Sequence, residues 1–336
     1  MTVELSIIIP SLNRPVRLMQ CLLSIRRMLD HCQVVSEVLL VDDGSNNTVA
    51  ARYAEISREL DCILVRTTGL GPSGARNTGA LKAKGDWIYF VDDDIILLQN
   101  TLSWWSESKE VLYAGYQGIT KVDSQLQWNQ ASPSASDFEG GFGSGNIIYR
   151  RELFIKLGGF DESYFLKSLG IHFREDTDLG LRFVREGYDI PVNRQMLAHH
   201  PSSDIKDPWF ILKDALKYYF EPYFKLRNPE ARKWIGTAFK RGVLGTFQLR
   251  GLVSLLILFL APFTVLNVVI VVPLIILYLL LSYLLFRKLS FESEFLIYVP
   301  VVLLCYPWIH SLSYLIGYFF GPKNPKLMIT ERGFDS

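Results

Sequence analysis

The first two hundred residues alternate between two hydrophobic periods. Short apolar runs rich in β-branched and aromatic residues, at 6–9, 37–41, 62–66 and 87–91, read as buried strands. Amphipathic stretches separate them. One opens at the turn Pro10-Ser11-Leu12-Asn13-Arg14-Pro15 and runs through Leu29; others span 48–60 and 74–83. This alternation predicts an α/β domain, a mostly parallel sheet flanked by helices. Such sheets bind ligands at the carboxyl ends of their strands. Two acidic clusters fall there, Asp42-Asp43 and Asp92-Asp93-Asp94.

The pattern changes near residue 251. Residues 252–286 carry no charged side chain, and 295–320 are again uncharged. Apolar stretches of this length predict membrane spans, since about 20 helical residues cross the hydrocarbon core. Pro262, Asn267 and Pro273 could divide the first stretch, so two or three spans are expected. Between the halves, residues 206–250 interleave basic groups with aromatic ones such as Trp209, Tyr218, Tyr219, Phe220, Tyr223, Phe224 and Trp234. That mixture predicts an interfacial segment, with rings at headgroup level and basic groups near an anionic membrane surface. The expected organisation is a catalytic domain at 1–205, an interfacial segment at 206–250, a transmembrane region at 251–322 and a short tail at 323–336.

Composition narrows the partners. The 336 residues have a net charge of +1, which gives no case for nucleic acid. Cys21, Cys32, Cys62 and Cys305 show no metal-ligand or C-x-x-C spacing, so no disulfide framework is expected. Glu4 and the strand-like residues after it stand where a signal peptide would lie, which places the first domain on the cytoplasmic side of the membrane.

The carboxylate triplet ends the run Trp87–Val91. Alone it reads equally well as a solvated turn capping a helix. Its hard oxygen ligands also suit Mg²⁺ or Mn²⁺. Further along, Glu175-Asp176-Thr177-Asp178 opens an amphipathic helix in which Arg182 stands four residues after Asp178, an ion-pair spacing.

Taken in order, Ser6-Ile7-Ile8-Ile9-Pro10, Val41-Asp42-Asp43-Gly44-Ser45, Gly74-Ala75-Arg76-Asn77-Thr78-Gly79, Asp92-Asp93-Asp94 and Glu175-Asp176 resemble glycosyltransferase family 2, of the GT-A fold. The resemblance covers residues 3 to 205. It implies a Rossmann-like sheet and an inverting enzyme that uses a nucleotide-sugar donor with Mn²⁺ or Mg²⁺. On this chain it implies donor binding by Pro10, Asn13, Asp42, Asp43, Arg76, Asp92 and Asp93. It implies a metal on Asp92 and Asp94, with either His199 or His200 contributing. Asp176 is then the catalytic base, with Glu175, Gly145 and Asn146 on the acceptor side.

The expected function is a membrane-anchored transferase acting on a lipid-linked or membrane-embedded acceptor. One alternative is a polyprenyl-phosphate glycosyltransferase that loads the first sugar on the carrier. Another, of a different class, is a catalytically silent, sugar-nucleotide-sensing subunit of an export complex. Against a polymer-extruding synthase stand the lack of spans ahead of the domain and of a Q-x-x-R-W tract.

Overall fold

The computed structural model describes residues 3–32, 34–105, 113–123, 130–131, 141–204, 210–231, 272–273, 276–277 and 299–327. Two compact units emerge. The first comprises residues 1–123, 133–201 and 323–336, and the second 124–132 and 202–322.

An eight-stranded sheet forms the first unit's centre. Its strands are β1 (Leu5–Ser11), β2 (Ser36–Asp42), β3 (Ile63–Arg66), β4 (Trp87–Val91), β5 (Ile96–Leu97), β6 (Gly115–Val122), β8 (Asn146–Arg150) and β11 (Val192–His200), in the order β3-β2-β1-β4-β8-β6-β11-β5. The run β3-β2-β1-β4 is parallel, as the alternating pattern predicts. Beyond β4 the sheet is mixed rather than parallel. Strand β8 runs antiparallel to both β4 and β6, β11 is parallel to β6, and β5 is antiparallel to β11. The reversal has a local consequence: Val91 at the end of β4 pairs with Asn146 at the start of β8. The loop entering β8 therefore lies beside the aspartate triplet leaving β4.

Helices α1 (Pro15–Leu29), α2 (Asn47–Glu59) and α3 (Gly71–Lys82) connect the parallel strands. Proline in the first turn of α1 and α3 fits positions whose N–H would have no intrahelical partner. The Asn46 side chain caps α2 by accepting from Val49 N at 3.0 Å, a bond worth about 1 kcal/mol. Two apolar cores result. Ile7, Ile9, Leu18, Leu22, Ile25 and Leu40 pack in one; Ile8, Leu39, Val41, Phe90, Ile147 and Phe183 pack in the other. Successive β1 side chains enter alternate cores because strand side chains alternate in direction.

After β8 come α4 (Arg151–Lys156), a hairpin of β9 (Phe165–Leu166) and β10 (Ile171–His172), and α5 (Glu175–Arg185). The expected Asp178–Arg182 pair is present at 3.1 Å, and both side chains are buried. Arg182 also donates to the carbonyls of Leu157 and Gly159, and Tyr164 OH donates to Asp178. This network fastens α5 to the Gly158-Gly159-Phe160 turn. The four cysteines are free thiols.

Residues 323–327, expected as a short tail, are part of the first unit. Lys326 N donates to Asp161 Oδ1 at 2.9 Å, Glu162 N donates to Lys326 O, and Leu327 bridges with Asp161.

In the second unit, the short strands β7 (Gln130–Ala131) and β12 (Ser203–Asp204) pair antiparallel. Helices α6 (Phe210–Leu216) and α7 (Glu221–Arg227) pack on α8 (Val299–Phe320). Of the aromatics expected at a membrane interface, Phe220, Tyr223 and Phe224 are buried. Among the described residues no helix is long and apolar enough to cross a membrane. The expected span at 252–286 lies outside the described residues except for 272–273 and 276–277, as do 232–250 of the basic segment.

Candidate functional site

A cavity of about 370 Å³ opens at the carboxyl ends of β1 and β4. The backbone builds its floor. Asp43 follows β2, and its carboxylate accepts from Thr67 Oγ1 at 2.5 Å, Leu70 N at 2.8 Å and Gly71 N at 2.8 Å. These bonds draw the loop before α3 over the cavity. Gly71 itself adopts φ +82°, and a Cβ there would meet the Phe165 ring at 2.4 Å, so glycine is required where the hairpin closes on this loop.

The triplet after β4 is held differently. Buried Arg76 on α3 is ion-paired with Asp92. Ser11 Oγ donates to Asp93 Oδ2 at 2.6 Å, and Arg14 Nη1 lies 3.2 Å from Asp93 Oδ1. Burial, against those two contacts, pushes the Asp93 carboxyl up to about 6. Asp94 meets Arg14 at 3.1 Å, Arg17 at 3.3 Å and His200 Nε2 at 3.4 Å. A Cβ on Gly145 would sit 2.7 Å from Asp92 Oδ2, so the β8 loop approaches this carboxylate as only glycine permits.

Behind the lining residues Arg76 and His172 stands the N-terminus of α5, whose Glu175 and Asp176 lie within electrostatic reach of Arg76 without lining the cavity themselves. Arg174 before it takes a left-handed conformation, φ +78°, which turns the chain from the hairpin into the helix. Glu175 is buried, and its Oε1 lies 2.7 Å from His172 Nδ1. Burial alone would raise the Glu175 carboxyl, but the imidazole and Arg76 bring it below its ordinary value. Asp176, half-buried, accepts from Thr177 N at 2.6 Å. Its carboxyl is pushed up to about 6, first by burial and then by the neighbouring Glu175 charge.

Several expected residues have other tasks. Asn13 does not line the cavity; its Oδ1 accepts from Asn46 N and Nδ2, which ties the β1 loop to the α2 cap. Asp42 accepts from Ser45 N at 2.8 Å, an Asx turn, and does not reach the cavity. Asn146 is buried, accepting from Tyr89 OH and donating to Ile119 O and Met196 O. It braces three strands and offers nothing to an acceptor. His199 turns to Asp123 at 2.8 Å. Because neighbours on a strand point to opposite faces, His200 alone of the pair lines the cavity. Pro10, Asp43, Arg76, Asp92, Asp93 and Asp94 do converge on it.

Residue-by-residue reading of the sequence overlooked Arg14, Arg17 and His172. Arg14 lies within the Asn13-Arg14-Pro15 turn, five residues past the end of the β1 apolar run, which was its available signal.

Among the described residues, no three carboxylate, thiol or imidazole groups gather closely enough to hold a metal by themselves. Asp94 and His200 offer two donors. That set fits Mg²⁺ or Mn²⁺, which commonly take one or two protein ligands and complete their shell with phosphate oxygens and water. Asp92, expected to share the ion, is ion-paired with Arg76 through Oδ1.

Comparison with known proteins agrees with this fold. A TM-score of 0.64 relates the chain to the mannosyltransferase PcManGT from Pyrobaculum calidifontis, solved in complex with GDP-Man and Mn²⁺; the match has 14% identity and covers 94% of this chain and 88% of that one. An uncharacterized glycosyltransferase of Haemophilus influenzae is 26% identical over 240 residues, 66% of this chain and 77% of its own length. The GalNAc(5)-diNAcBac-PP-undecaprenol beta-1,3-glucosyltransferase of Campylobacter jejuni is 29% identical over 125 residues, 36% of this chain and 40% of its own length. The chain is thus a nucleotide-sugar-dependent glycosyltransferase with a GT-A-like fold. The Glycosyl transferase family 2 model matches residues 6–108.

Proposed function

We propose that this enzyme transfers a sugar, with inversion, from a nucleotide-sugar to a lipid-linked or membrane-embedded acceptor. The observation that carries this reading is the cavity at the strand ends, lined by Arg76, Asp92 and Asp94, with Asp176 within electrostatic reach of Arg76 and its carboxyl pushed up to about 6. Such a group is ionised at neutral pH yet basic enough to take a proton in the transition state. Asp176 accepts the proton of the acceptor hydroxyl as its oxygen attacks the anomeric carbon. The bond from that carbon to the nucleoside diphosphate breaks on the opposite face. Arg76 lines the cavity with buried Nε and Nη1 that lack protein partners, and it balances charge growing on the diphosphate. Asp94 and His200 would hold Mn²⁺ or Mg²⁺, which supplies further neutralisation of that leaving group.

The lipid acceptor is supported by the Campylobacter relative, which is named for an undecaprenol-PP-linked substrate. The uncharged stretch at 252–286 would anchor the enzyme to the membrane, raising effective acceptor concentration.

Asp176→Asn tests the reading, because it removes the proton acceptor while preserving shape. Calorimetric donor binding should stay within about twofold while turnover falls by about 10² to 10⁴. Near-normal turnover would remove Asp176 as the base. Loss of donor affinity would move it into the nucleotide or metal shell.

A further inference from the structure

The hairpin of β9 and β10 places two side chains on one wall of the cavity. Phe165 and His172 are cross-strand partners in its register, and both line the cavity. Phe165 is fixed by its packing on Gly71. His172 is fixed by the 2.7 Å contact between Nδ1 and Glu175 Oε1. An ionised carboxylate only accepts, so Nδ1 carries the proton. The ring's other nitrogen lies on the opposite edge, which leaves Nε2 for the cavity. The side chain is 43% exposed and lines the cavity, so a ligand there can reach it. His172 also stands within electrostatic reach of Arg76 and Asp92, which places it at the reacting end of the cavity.

An aromatic ring beside a directed polar atom is what a sugar requires. The ring covers the C–H face of the pyranose, and the polar atom pairs with a hydroxyl. We propose that His172 and Phe165 read the transferred sugar, His172 through a hydrogen bond between Nε2 and one of its hydroxyls. His172 is thereby a specificity-determining residue, and Glu175 positions it. The assignment rests on the reading that this cavity takes a nucleotide-sugar. It separates recognition of the sugar, on the hairpin, from recognition of the diphosphate, on Arg76 and the aspartate triplet.

The test compares nucleotide-sugars with bare nucleotides on the full-length protein. Calorimetry with UDP-glucose, UDP-N-acetylglucosamine and GDP-mannose, in Mn²⁺, identifies the donor bound by the wild type. UDP or GDP is then the matched control. His172→Asn keeps an amide near the Nδ1 position, facing Glu175, but lacks the Nε2 edge. It should weaken the nucleotide-sugar about tenfold, the scale of one lost hydrogen bond, and change the bare nucleotide by less than about twofold. His172→Gln extends an amide toward the Nε2 position and should recover most of the loss. Phe165→Leu leaves the His172–Glu175 pair in place and should weaken the nucleotide-sugar alone. Retained nucleotide binding is the control for folding in every variant. Equal losses for sugar-bearing and bare nucleotide, or no loss for either, would overturn the assignment while leaving the donor reading intact. A wild-type protein that binds bare UDP or GDP but none of the three nucleotide-sugars would remove the donor reading, and this assignment with it.

Discussion

The two acidic clusters at the carboxyl ends of β2 and β4 look alike in sequence and are held in opposite ways. Asp43 is bound by loop donors, Thr67 Oγ1, Leu70 N and Gly71 N, while Asp42 accepts from Ser45 N and has Arg66 Nε at 3.5 Å. Those donors are fixed in place by the chain, and satisfying them is a structural task. Asp92, Asp93 and Asp94 are held mainly by side-chain cations, namely Arg76, Arg14 and Arg17, with His200 beside Asp94. Arg14 and Arg17 are 53% and 42% exposed, and ion pairs of such mobile groups are worth at most about 1 kcal/mol each. They can exchange a carboxylate for a phosphate or yield it to a metal at little cost. A carboxylate such as Asp43, held by three loop donors, builds the cavity; one such as Asp94, balanced by movable charge, is available to a ligand.

The largest expected effect follows from that contrast. Asp94→Ala should lower turnover by about 10² to 10³, the scale of losing one electrostatic anchor of the leaving group, with little change in melting temperature. Chelation with EDTA should abolish turnover, and Mn²⁺ or Mg²⁺ should restore it. Asp43→Ala should instead destabilise the fold by roughly 2 to 3 kcal/mol, because three donors lose their acceptor. Activity assays and thermal melts on both variants check the pair. If Asp94→Ala melts early and Asp43→Ala does not, the two roles have been assigned the wrong way round.

A second expectation concerns pH. Asp176 must be ionised to act as a base, and its carboxyl lies at about 6. Turnover should therefore rise with pH through 6 and level off above it, with about a tenfold deficit at pH 5. Glu175 is the second cause of the elevation, after burial. Removing its charge in Glu175→Gln should move the acid limb to lower pH, by up to about one unit. A limb that stays in place would mean that the titrating group is not Asp176.

Much of this site was legible in the chain, for physical reasons. Strand period and the acids at strand ends locate β1, β2 and β4 and the edge at which they bind, because those strands are local and their burial is symmetric. The Asp178–Arg182 pair is equally local, fixed by helical spacing. What could not be read is long-range. Asn146 looks like a polar residue of a glycine-rich loop, and only the antiparallel arrival of β8 shows that Tyr89, Ile119 and Met196 consume its side chain. His199 and His200 are indistinguishable until the register of β11 sends one to Asp123 and the other to the cavity. Phe220, Tyr223 and Phe224 read from sequence as interface or core alike, and only the packing of α7 on α8 shows that they are buried.

Asp161 extends the contrast to a third acid and gives the smallest expected effect. It is fully buried, and its Oδ1 accepts from Ser163 N and Lys326 N, both at 2.9 Å. By this pattern it belongs with Asp43, as a carboxylate that organises backbone. The segment it holds comes from the end of the chain: Ser163 Oγ donates to Asn324 O, and the Leu327 side chain lies 3.2 Å from where a Cβ on Gly158 would stand. Deleting residues 323–336 removes one donor from Asp161 but leaves Ser163 N in place. The loss should be about 1 to 2 kcal/mol, a fall in melting temperature of a few degrees. Donor affinity should change little, because Glu162 keeps its bond from Asn77 Nδ2 on α3 and so holds the turn that leads to Phe165. Melting curves and donor calorimetry on the shortened chain check both parts. A large loss of affinity at an unchanged melting temperature would show instead that the terminal segment shapes the cavity, and Asp161 would then have to be grouped with the carboxylates that serve the ligand.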